Sequence, residues 1–185
     1  MVNFYDIRDE AILKEVEAEI TNIKLMRLLV EPIKGDFDLK HLQAIHKFMF
    51  EDIYPFAGKI REENIAKDSF RFADYRFVET EAESLFVKLL EENSLLGLTV
   101  KDFAARAAYY MAEINVLHPF REGNGRVIRE FIRCLASNAG YELDWSAVPK
   151  ERVLDASIKS VSSTVDLARV IEKSIEVTRE HDLER

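Results

Sequence analysis

Apolar residues recur every three or four positions along almost the whole chain, which is the spacing of one face of an α-helix. With 185 residues, of which 48% are hydrophobic, the chain is long enough for one well-packed domain. We therefore predict an all-α fold and a single domain over residues 1–185. The predicted helices lie at about 12–29, 38–53, from 80 onward, 99–118, 125–140, 149–160 and 164–183.

Several helix ends carry local signals. Thr80 and Thr99 are each followed three positions later by an acidic residue, so each predicts a capping box at the start of a helix. Pro119 disfavours helical geometry at the residue before it, and the fourth helix is therefore predicted to end at His118. Gly140 is predicted to cap the C-terminus of the fifth helix.

The first predicted helix has an apolar stripe, formed by Ile12, Val16, Ile20 and Ile23. This stripe is predicted to face the core. Glu15, Glu17 and Glu19 fall outside the stripe. We therefore expect all three glutamates to lie in solvent.

One stretch departs from the helical pattern. Between Gly58 and Val78, Phe70 and Phe72 alternate with polar residues, and residues 66–69 favour a turn. This pattern predicts a small exposed β-hairpin. Such a hairpin can be a binding edge, and a solvent-facing hairpin without a ligand is about as common.

Charge and cysteine content exclude several classes of protein. A formal net charge of -8 repels nucleic acid and anionic lipid, so we expect neither a nucleic-acid partner nor a membrane partner. Cys134 is the only cysteine, which rules out an internal disulfide and favours a reducing cytosol. No apolar run is long enough to predict a membrane span. We expect a cytoplasmic protein, or one delivered into the cytosol of another cell.

The sequence HPFREGNGR, at residues 118–126, joins two predicted helices. Gly123 and Gly125 free the backbone to turn N–H groups towards one point, and such a loop at a helix N-terminus is typical of a phosphate site. Arg126 and Arg129 fall in the first turn of the next helix, where the helix dipole disfavours each cation by about 0.3–1 kcal/mol. A bound anion would offset this cost, so we predict a phosphate-binding loop.

Two further residues of the loop indicate chemistry. Glu122 would repel a bare phosphate, but Mg²⁺ usually binds one or two carboxylates together with phosphate oxygens. His118, with an ordinary pKa of about 6.5, can accept a proton from a hydroxyl that attacks phosphorus. The loop therefore predicts phosphoryl or nucleotidyl transfer from a metal-bound polyphosphate. It matches neither the dinucleotide fingerprint nor the GxxxxGK[ST] loop.

The same residues resemble a known family. HPFREGNGRVIR matches the signature of the Fic family, HxFx[DE]GNGRxxR, at every fixed position. IYPFAGKIR and NIAKDSFRF resemble the segment that leads into the flap hairpin of the family, and GYELDW resembles what often follows its motif helix. The likeness runs from about Met1 to Leu183, with a core near 39–145 and C-terminal helices at about 149–183. It implies a Fic-type helical bundle with a small β-hairpin flap, and transfer of AMP from ATP to a Ser, Thr or Tyr hydroxyl of a target protein with release of pyrophosphate.

The resemblance also implies a role for each residue of the motif. His118 would be the catalytic base, and Glu122 would hold Mg²⁺ with ATP as co-substrate. The remaining residues would bind the nucleotide: Gly123 and Gly125 through backbone N–H groups, Asn124 at the α-phosphate, Arg126 at the β-phosphate, Arg129 at the γ-phosphate, and Lys67 near the nucleotide or the target side chain.

The resemblance further implies partners. The flap, at about 64–73, would bind the target protein as an added strand. Many members of the family inhibit themselves through a helix carrying [ST]xxxE[GN], whose glutamate pairs with the arginine that matches Arg129. No Ser or Thr of this chain has a glutamate four residues later. We expect a separate small antitoxin protein to supply the helix; a missing C-terminal extension and an unrestrained enzyme are the alternatives.

Other functions remain open at this point. A kinase of the Doc type resembles Fic but transfers the γ-phosphate, and Gly125 argues against it because Doc-like loops usually carry lysine there. A Fic transferase could use another donor, such as UTP or CDP-choline, since the loop binds only phosphates. An inactive binding module could use the hairpin alone.

Overall fold

The computed structural model describes residues 1–67 and 70–183, with side chains as far as residue 175. Among these residues the fold is helical, as predicted, with one two-stranded sheet. The helices are α1 (Glu10–Val30), α2 (Leu39–Phe50), α3 (Tyr75–Glu91), α4 (Val100–Leu117), α5 (Asn124–Asn138), α6 (Lys150–Lys159) and α7 (Val165–Leu183). The strands are β1 (Ala66–Lys67) and β2 (Phe70–Arg71). Within the described part of the chain, no helix is both long and apolar enough to cross a membrane.

The core surrounds α4, which packs against α3, α5 and α7, while α5 also packs against α2. The largest fully buried side chains come from these helices and from the loop between α4 and α5, and include Tyr110, Phe50, Phe103, Phe120 and Phe131. Each such side chain contributes about 1.5–3 kcal/mol by leaving water. The core therefore fixes the two helices that flank residues 118–123.

Most predicted helix ends are confirmed. Thr99 caps α4 by accepting a hydrogen bond from the backbone N–H of Asp102 at 3.2 Å. The helix ends at His118, whose left-handed backbone has φ 47° and ψ 62°. Gly140, at φ 82°, follows the last turn of α5.

The predicted start of α3 at Thr80 is wrong. The helix begins five residues earlier, at Tyr75, and its cap is Asp74, whose carboxylate accepts a hydrogen bond from the Arg76 N–H at 3.1 Å. Arg76 also holds this carboxylate through its guanidinium, and these bonds lower the pKa of Asp74 well below its usual range. Because Asp74 already provides the cap, Thr80 lies inside the helix.

The predicted inner face of α1 is only partly correct, because Ile20 packs against the core but Ile12 and Ile23 at the two ends of the stripe do not. Ile12 and Ile23 are 51% and 56% exposed. The residues that α1 buries are instead Leu13, Glu17, Thr21, Lys24 and Leu28. Polar side chains are tolerated on this face because they form ion pairs or hydrogen bonds. For example, Nζ of Lys24 lies 2.8 Å from a carboxylate oxygen of Asp52 and 3.3 Å from one of Glu51. The expectation that Glu17 lies in solvent is therefore wrong as well, since it is only 7% exposed.

The predicted hairpin is confirmed, but the predicted turn at 66–69 is wrong in its first half, because Ala66 and Lys67 form β1 and pair with β2. β1 and β2 pair in antiparallel register, with Ala66 opposite Arg71 and Lys67 opposite Phe70. The pairing continues in one longer bond from the Phe72 N–H to the Ile65 carbonyl, at 3.4 Å. The strands are short, so the hairpin depends on its anchorage to the helical body.

Candidate active site

The loop between α4 and α5 is held closed by its own side chains. Phe120 is fully buried, and its ring stacks on the ring of His46 with 4.0 Å between the two ring centroids. The Asn124 amide donates to the Phe120 carbonyl at 2.7 Å and accepts from the Phe120 N–H at 2.9 Å. Asn124 is 2% exposed. Its side chain therefore closes the loop, and its second amide hydrogen leaves the predicted contact with an α-phosphate as a prediction.

Gly123 turns the chain into α5. Its φ is 77°, and a Cβ at this position would lie 2.1 Å from Cζ of Phe50, so both conformation and space require glycine. Its N–H donates to the Glu122 carboxylate at 3.0 Å. Gly125 is exposed, and a Cβ there would meet only Nη1 of Arg129, at 3.4 Å. No side chain in the described structure caps this end of α5, so first-turn N–H groups remain for an anion.

The two arginines of the motif have different environments. Arg126 donates to a carboxylate oxygen of Glu17 and, at 3.0 Å, to the Thr21 hydroxyl. Arg129 has no carboxylate within ion-pair distance among the residues whose side chains are described. Burial lowers the pKa of Arg129, and the positive charge of Arg126 lowers it further. A cation in this setting is well suited to receive an anionic ligand.

The imidazole of His118 has a defined proton position. Its Nδ1 lies 3.1 Å from the carbonyl oxygen of Asn115, and a carbonyl can only accept. Nδ1 therefore carries the hydrogen of the neutral ring, and Nε2 presents a lone pair. The ring of Phe72, from the hairpin, stacks on the imidazole at 3.8 Å between centroids.

The same surroundings keep His118 neutral. The pKa of His118 is lowered to about 4, chiefly by burial; the hydrogen bond to Asn115 opposes this shift, and the charges of Arg61 and Lys67 add to it. Lys67 therefore lies near enough for its charge to act on the imidazole. A neutral imidazole with a free Nε2 has the properties of a general base at physiological pH.

Arg61 joins the hairpin to the loop, and it was not among the predicted site residues. The side chain is 4% exposed. Its guanidinium donates to four carbonyls, those of His118 at 2.7 Å, Glu63 at 2.7 Å, Ala73 at 2.5 Å and Leu117 at 3.1 Å. These bonds tie both ends of the hairpin to the end of α4. The only sequence signal for Arg61 is its place in IYPFAGKIR, the segment that resembles the family.

His46 also supports the loop between α4 and α5, and it was not among the predicted site residues. The Gly58 N–H donates to its Nδ1 at 2.8 Å, so the ring hydrogen lies on Nε2, which donates to the Glu122 carbonyl at 3.1 Å. Burial lowers the pKa of His46 to about 4, which keeps this arrangement neutral. His46 thus fixes the backbone immediately before Gly123.

The side chains of this loop can bind a magnesium ion only together with oxygen atoms of a bound ligand. No three His, Cys, Asp or Glu side chains of the described residues are grouped to hold a metal by themselves. The Glu122 side chain is 43% exposed at the open side of the loop. One carboxylate suffices for Mg²⁺ when phosphate oxygens and water fill the other positions. Glu122 can therefore hold Mg²⁺ together with a polyphosphate.

Comparison with known proteins identifies the family. The sequence profile of the Fic/DOC family matches residues 36–136. This chain belongs to that family.

Relatives and solved structures agree with this assignment. The protein adenylyltransferase VbhT of Bartonella schoenbuchensis is 45% identical over 167 residues, which are 90% of this chain and 35% of VbhT. The probable protein adenylyltransferase Fic of Salmonella typhimurium is 35% identical over 182 residues, 97% of this chain and 90% of that protein. The N-terminal Fic domain of a putative cell filamentation protein from Bartonella quintana, solved with bound ADP, is 29% identical with a TM-score of 0.87, covering 94% of this chain and 89% of that one. BepC of Bartonella tribocorum, solved with AMPPNP, is 26% identical with a TM-score of 0.85, covering 94% and 91%.

Proposed function

We propose that this chain is a protein adenylyltransferase that transfers AMP from ATP to a Ser, Thr or Tyr hydroxyl of a target protein. One observation carries the proposal: His118, whose Nε2 presents a lone pair, begins the loop that leads into α5, and among the described side chains none caps that helix start and no carboxylate pairs with Arg129. The names of VbhT and of the Salmonella protein support it, as does the ADP bound in the Bartonella quintana domain. We also propose that residues 1–185 act as a single domain.

The proposed reaction is a single displacement at phosphorus. The target hydroxyl loses its proton to Nε2 of His118 as its oxygen bonds to the α-phosphorus. The bond from that phosphorus to the bridging oxygen of the β-phosphate breaks, and pyrophosphate leaves. The proton on His118 then passes to solvent, which restores the neutral imidazole.

The residues around α5 orient the triphosphate for this step. The N–H groups of the first turn and the guanidinium of Arg126 bind oxygens of the α- and β-phosphates, and Arg129 binds the γ-phosphate. Glu122 would hold Mg²⁺, and the ion would supply positive charge to neutralise the phosphates. These contacts position the α-phosphorus opposite the attacking oxygen.

The hairpin is the proposed docking site for the target. A cleft of about 350 Å³ lies against it, lined by Asn64, Ile65, Ala66, Arg71, Phe72 and Asp74. An extended target segment can add as a strand to a short exposed edge of this kind. Lys67, whose charge reaches His118, would then lie between the target side chain and the nucleotide.

We also propose that a separate small antitoxin protein inhibits the enzyme. Its glutamate would pair with Arg129 and block the γ-phosphate position, which the lack of a carboxylate beside Arg129 in the described structure allows. The enzyme would act in the cytosol of its own cell or in that of a host. The second alternative is supported by the Bartonella quintana protein, which is a translocated effector.

Isotope position tests the proposed reaction. The purified chain is incubated with Mg²⁺, a cell lysate and ATP labelled at either the α- or the γ-phosphate. We expect label on protein from α-labelled ATP alone. The His118→Ala chain serves as the control for contaminating enzymes. Label on protein from γ-labelled ATP would show that the chain is a kinase. Label from neither form of ATP would mean that the chain uses another nucleotide donor or is an inactive binding module.

The pH dependence of transfer is a second expectation. Because protonation removes the lone pair of Nε2, the rate falls as pH falls through the pKa of His118, about 4. We therefore expect a kcat/KM, which reports the free enzyme, that changes little between about pH 6 and 8 and declines only below about pH 5. An unperturbed histidine would lose half its activity near pH 6.5. Single-turnover rates at limiting ATP, measured from about pH 3.5 to pH 8, give the midpoint, with circular dichroism at each pH to verify that the fold is intact.

Phe72→Ala provides the comparison for the pH experiment. Removing the stacked ring exposes the imidazole to water, so the midpoint should move up towards 6.5. A parent midpoint near 6.5, unaffected by this substitution, would contradict the role of burial at His118.

A further inference from the structure

The position of Glu17 on α1 is not explained by the proposed chemistry. Its side chain is 9% exposed, and it lies more than a hundred residues away in sequence from the arginine it contacts, Arg126. One carboxylate oxygen accepts from Nη2 of Arg126, and the other accepts from the Tyr54 hydroxyl at 2.5 Å. Both oxygens are therefore bonded, and the carboxylate has one defined orientation.

The partners of Glu17 are themselves fixed. The ring of Tyr54 stacks on Phe56 at 4.7 Å and lies 6.1 Å from Phe50. Burial raises the pKa of Tyr54 above its usual range, and the bond to Glu17 raises it further, so the hydroxyl remains a donor. Glu17 is thus attached to the aromatic cluster that also supports the loop.

Arg126 is oriented by four contacts. Besides Glu17, its Nη1 donates to the Thr21 hydroxyl at 3.0 Å, its Nη2 lies 4.0 Å from Oε1 of Glu122, and its Cζ lies 5.0 Å from the centre of the Phe50 ring. The side chain is 22% exposed, and two of its five N–H groups are used by α1. The remaining N–H groups can still bond to an anion at the start of α5.

We propose that Glu17 is a positioning residue, which holds the guanidinium of Arg126 in its phosphate-binding orientation before the nucleotide arrives. A long arginine side chain otherwise loses conformational freedom when a ligand orders it, and a side chain held in advance loses less. The inference rests on the proposed function, because it assigns the ligand of Arg126 as a nucleotide phosphate. Glu17 acts through Arg126 and touches no reacting atom.

The test compares Glu17→Ala with Glu17→Gln. Alanine releases Arg126, and we expect kcat/KM for ATP to fall about tenfold, mainly through KM, with a matching loss of ATP affinity. Glutamine keeps the shape: its oxygen can accept from Arg126 and its amide can donate to the Tyr54 oxygen. It should therefore retain activity within about threefold of the parent. Glu19→Ala, an exposed site two residues away, is the matched control and should equal the parent.

A double-mutant cycle separates positioning from general stability. If Glu17 acts through Arg126, Glu17→Ala adds no further loss to Arg126→Ala, whereas a purely structural effect adds in full. Kinetics and calorimetric ATP affinity are measured well below the melting temperature of each variant. Additive losses, or parent activity in Glu17→Ala, would overturn the inference. Increased activity would also overturn it, since Glu17 would then withhold Arg126 from phosphate.

Failure of the inference and failure of the proposed function give different results. If the parent chain binds ATP but transfers no AMP, the function is wrong, and ATP affinity still tests Glu17. If the parent chain does not bind ATP, both are wrong. If the parent transfers AMP and Glu17→Ala behaves identically, only the inference is wrong.

Discussion

The His118→Ala chain is expected to transfer AMP about 10²–10⁴-fold more slowly than the parent, which is the usual contribution of a positioned general base. The reason is the free lone pair on Nε2, which the hydrogen bond from Nδ1 to Asn115 leaves available. ATP affinity should change little, because the phosphate contacts come from α5. Single-turnover transfer of α-labelled AMP and calorimetric ATP affinity measure the two effects separately.

The substitution also removes the ring that stacks on Phe72. The melting temperature therefore needs to be measured, and Phe72→Ala supplies the matched loss of the same contact with the base still present. Transfer by His118→Ala within tenfold of the parent would rule out the base role. Equal losses of transfer in both variants, accompanied by equal losses of melting temperature, would assign the effect to packing.

The Gly123→Ala chain is expected to lose about 2–6 kcal/mol of unfolding free energy together with its nucleotide affinity. Two costs add: alanine is strained at φ 77°, and its Cβ would lie 2.1 Å from the buried ring of Phe50. Relief requires the loop or the ring to move, and either displaces the start of α5. For a chain of this size each kcal/mol lowers the melting temperature by about 2–4 °C, so a thermal scan measures the effect.

Two other glycines separate these costs. Gly97→Ala, at φ 76° with no atom within 4 Å of the added Cβ, has the strain alone and should lose about 1–2 kcal/mol. Gly125→Ala, without positive φ, should stay within about 1 kcal/mol of the parent. If Gly123→Ala and Gly97→Ala are equally destabilised, the contact with Phe50 does not constrain the loop.

Local signals predicted much of the fold because they act over a few residues. The capping bond at Thr99 and the effect of Pro119 on His118 need no tertiary context, and both predicted helix ends are confirmed. The start of α3 was missed because two acceptable caps, at positions 74 and 80, compete, and only packing decides between them.

The inner face of α1 shows where sequence reasoning reaches its limit. An apolar stripe normally marks the buried face, yet Ile23 is exposed and Glu17 is buried. Burying a carboxylate is favourable only with partners, and these lie at Tyr54 and Arg126, far along the chain. Nothing near Glu17 in the sequence identifies them.

The functional residues also include some that the sequence predicted and some that it did not. The motif residues share one short stretch, so their types and order predicted a phosphate site, and their roles remain proposals. Arg61 and His46 support that stretch from other parts of the chain, and each does so through backbone carbonyls, which carry no residue-specific signal. Such supports become visible only in three dimensions.

The hydrogen bonds of Arg61 separate the attachment of the hairpin from the side chains that the hairpin presents to a target. The bonds from Arg61 to the carbonyls of Glu63, Ala73 and His118 fasten both ends of the hairpin through backbone atoms alone. We therefore expect substitutions elsewhere in the hairpin to leave the imidazole undisturbed if they spare Lys67 and Phe72, which act on it. Recognition can drift to new substrates while the reaction centre is inherited unchanged.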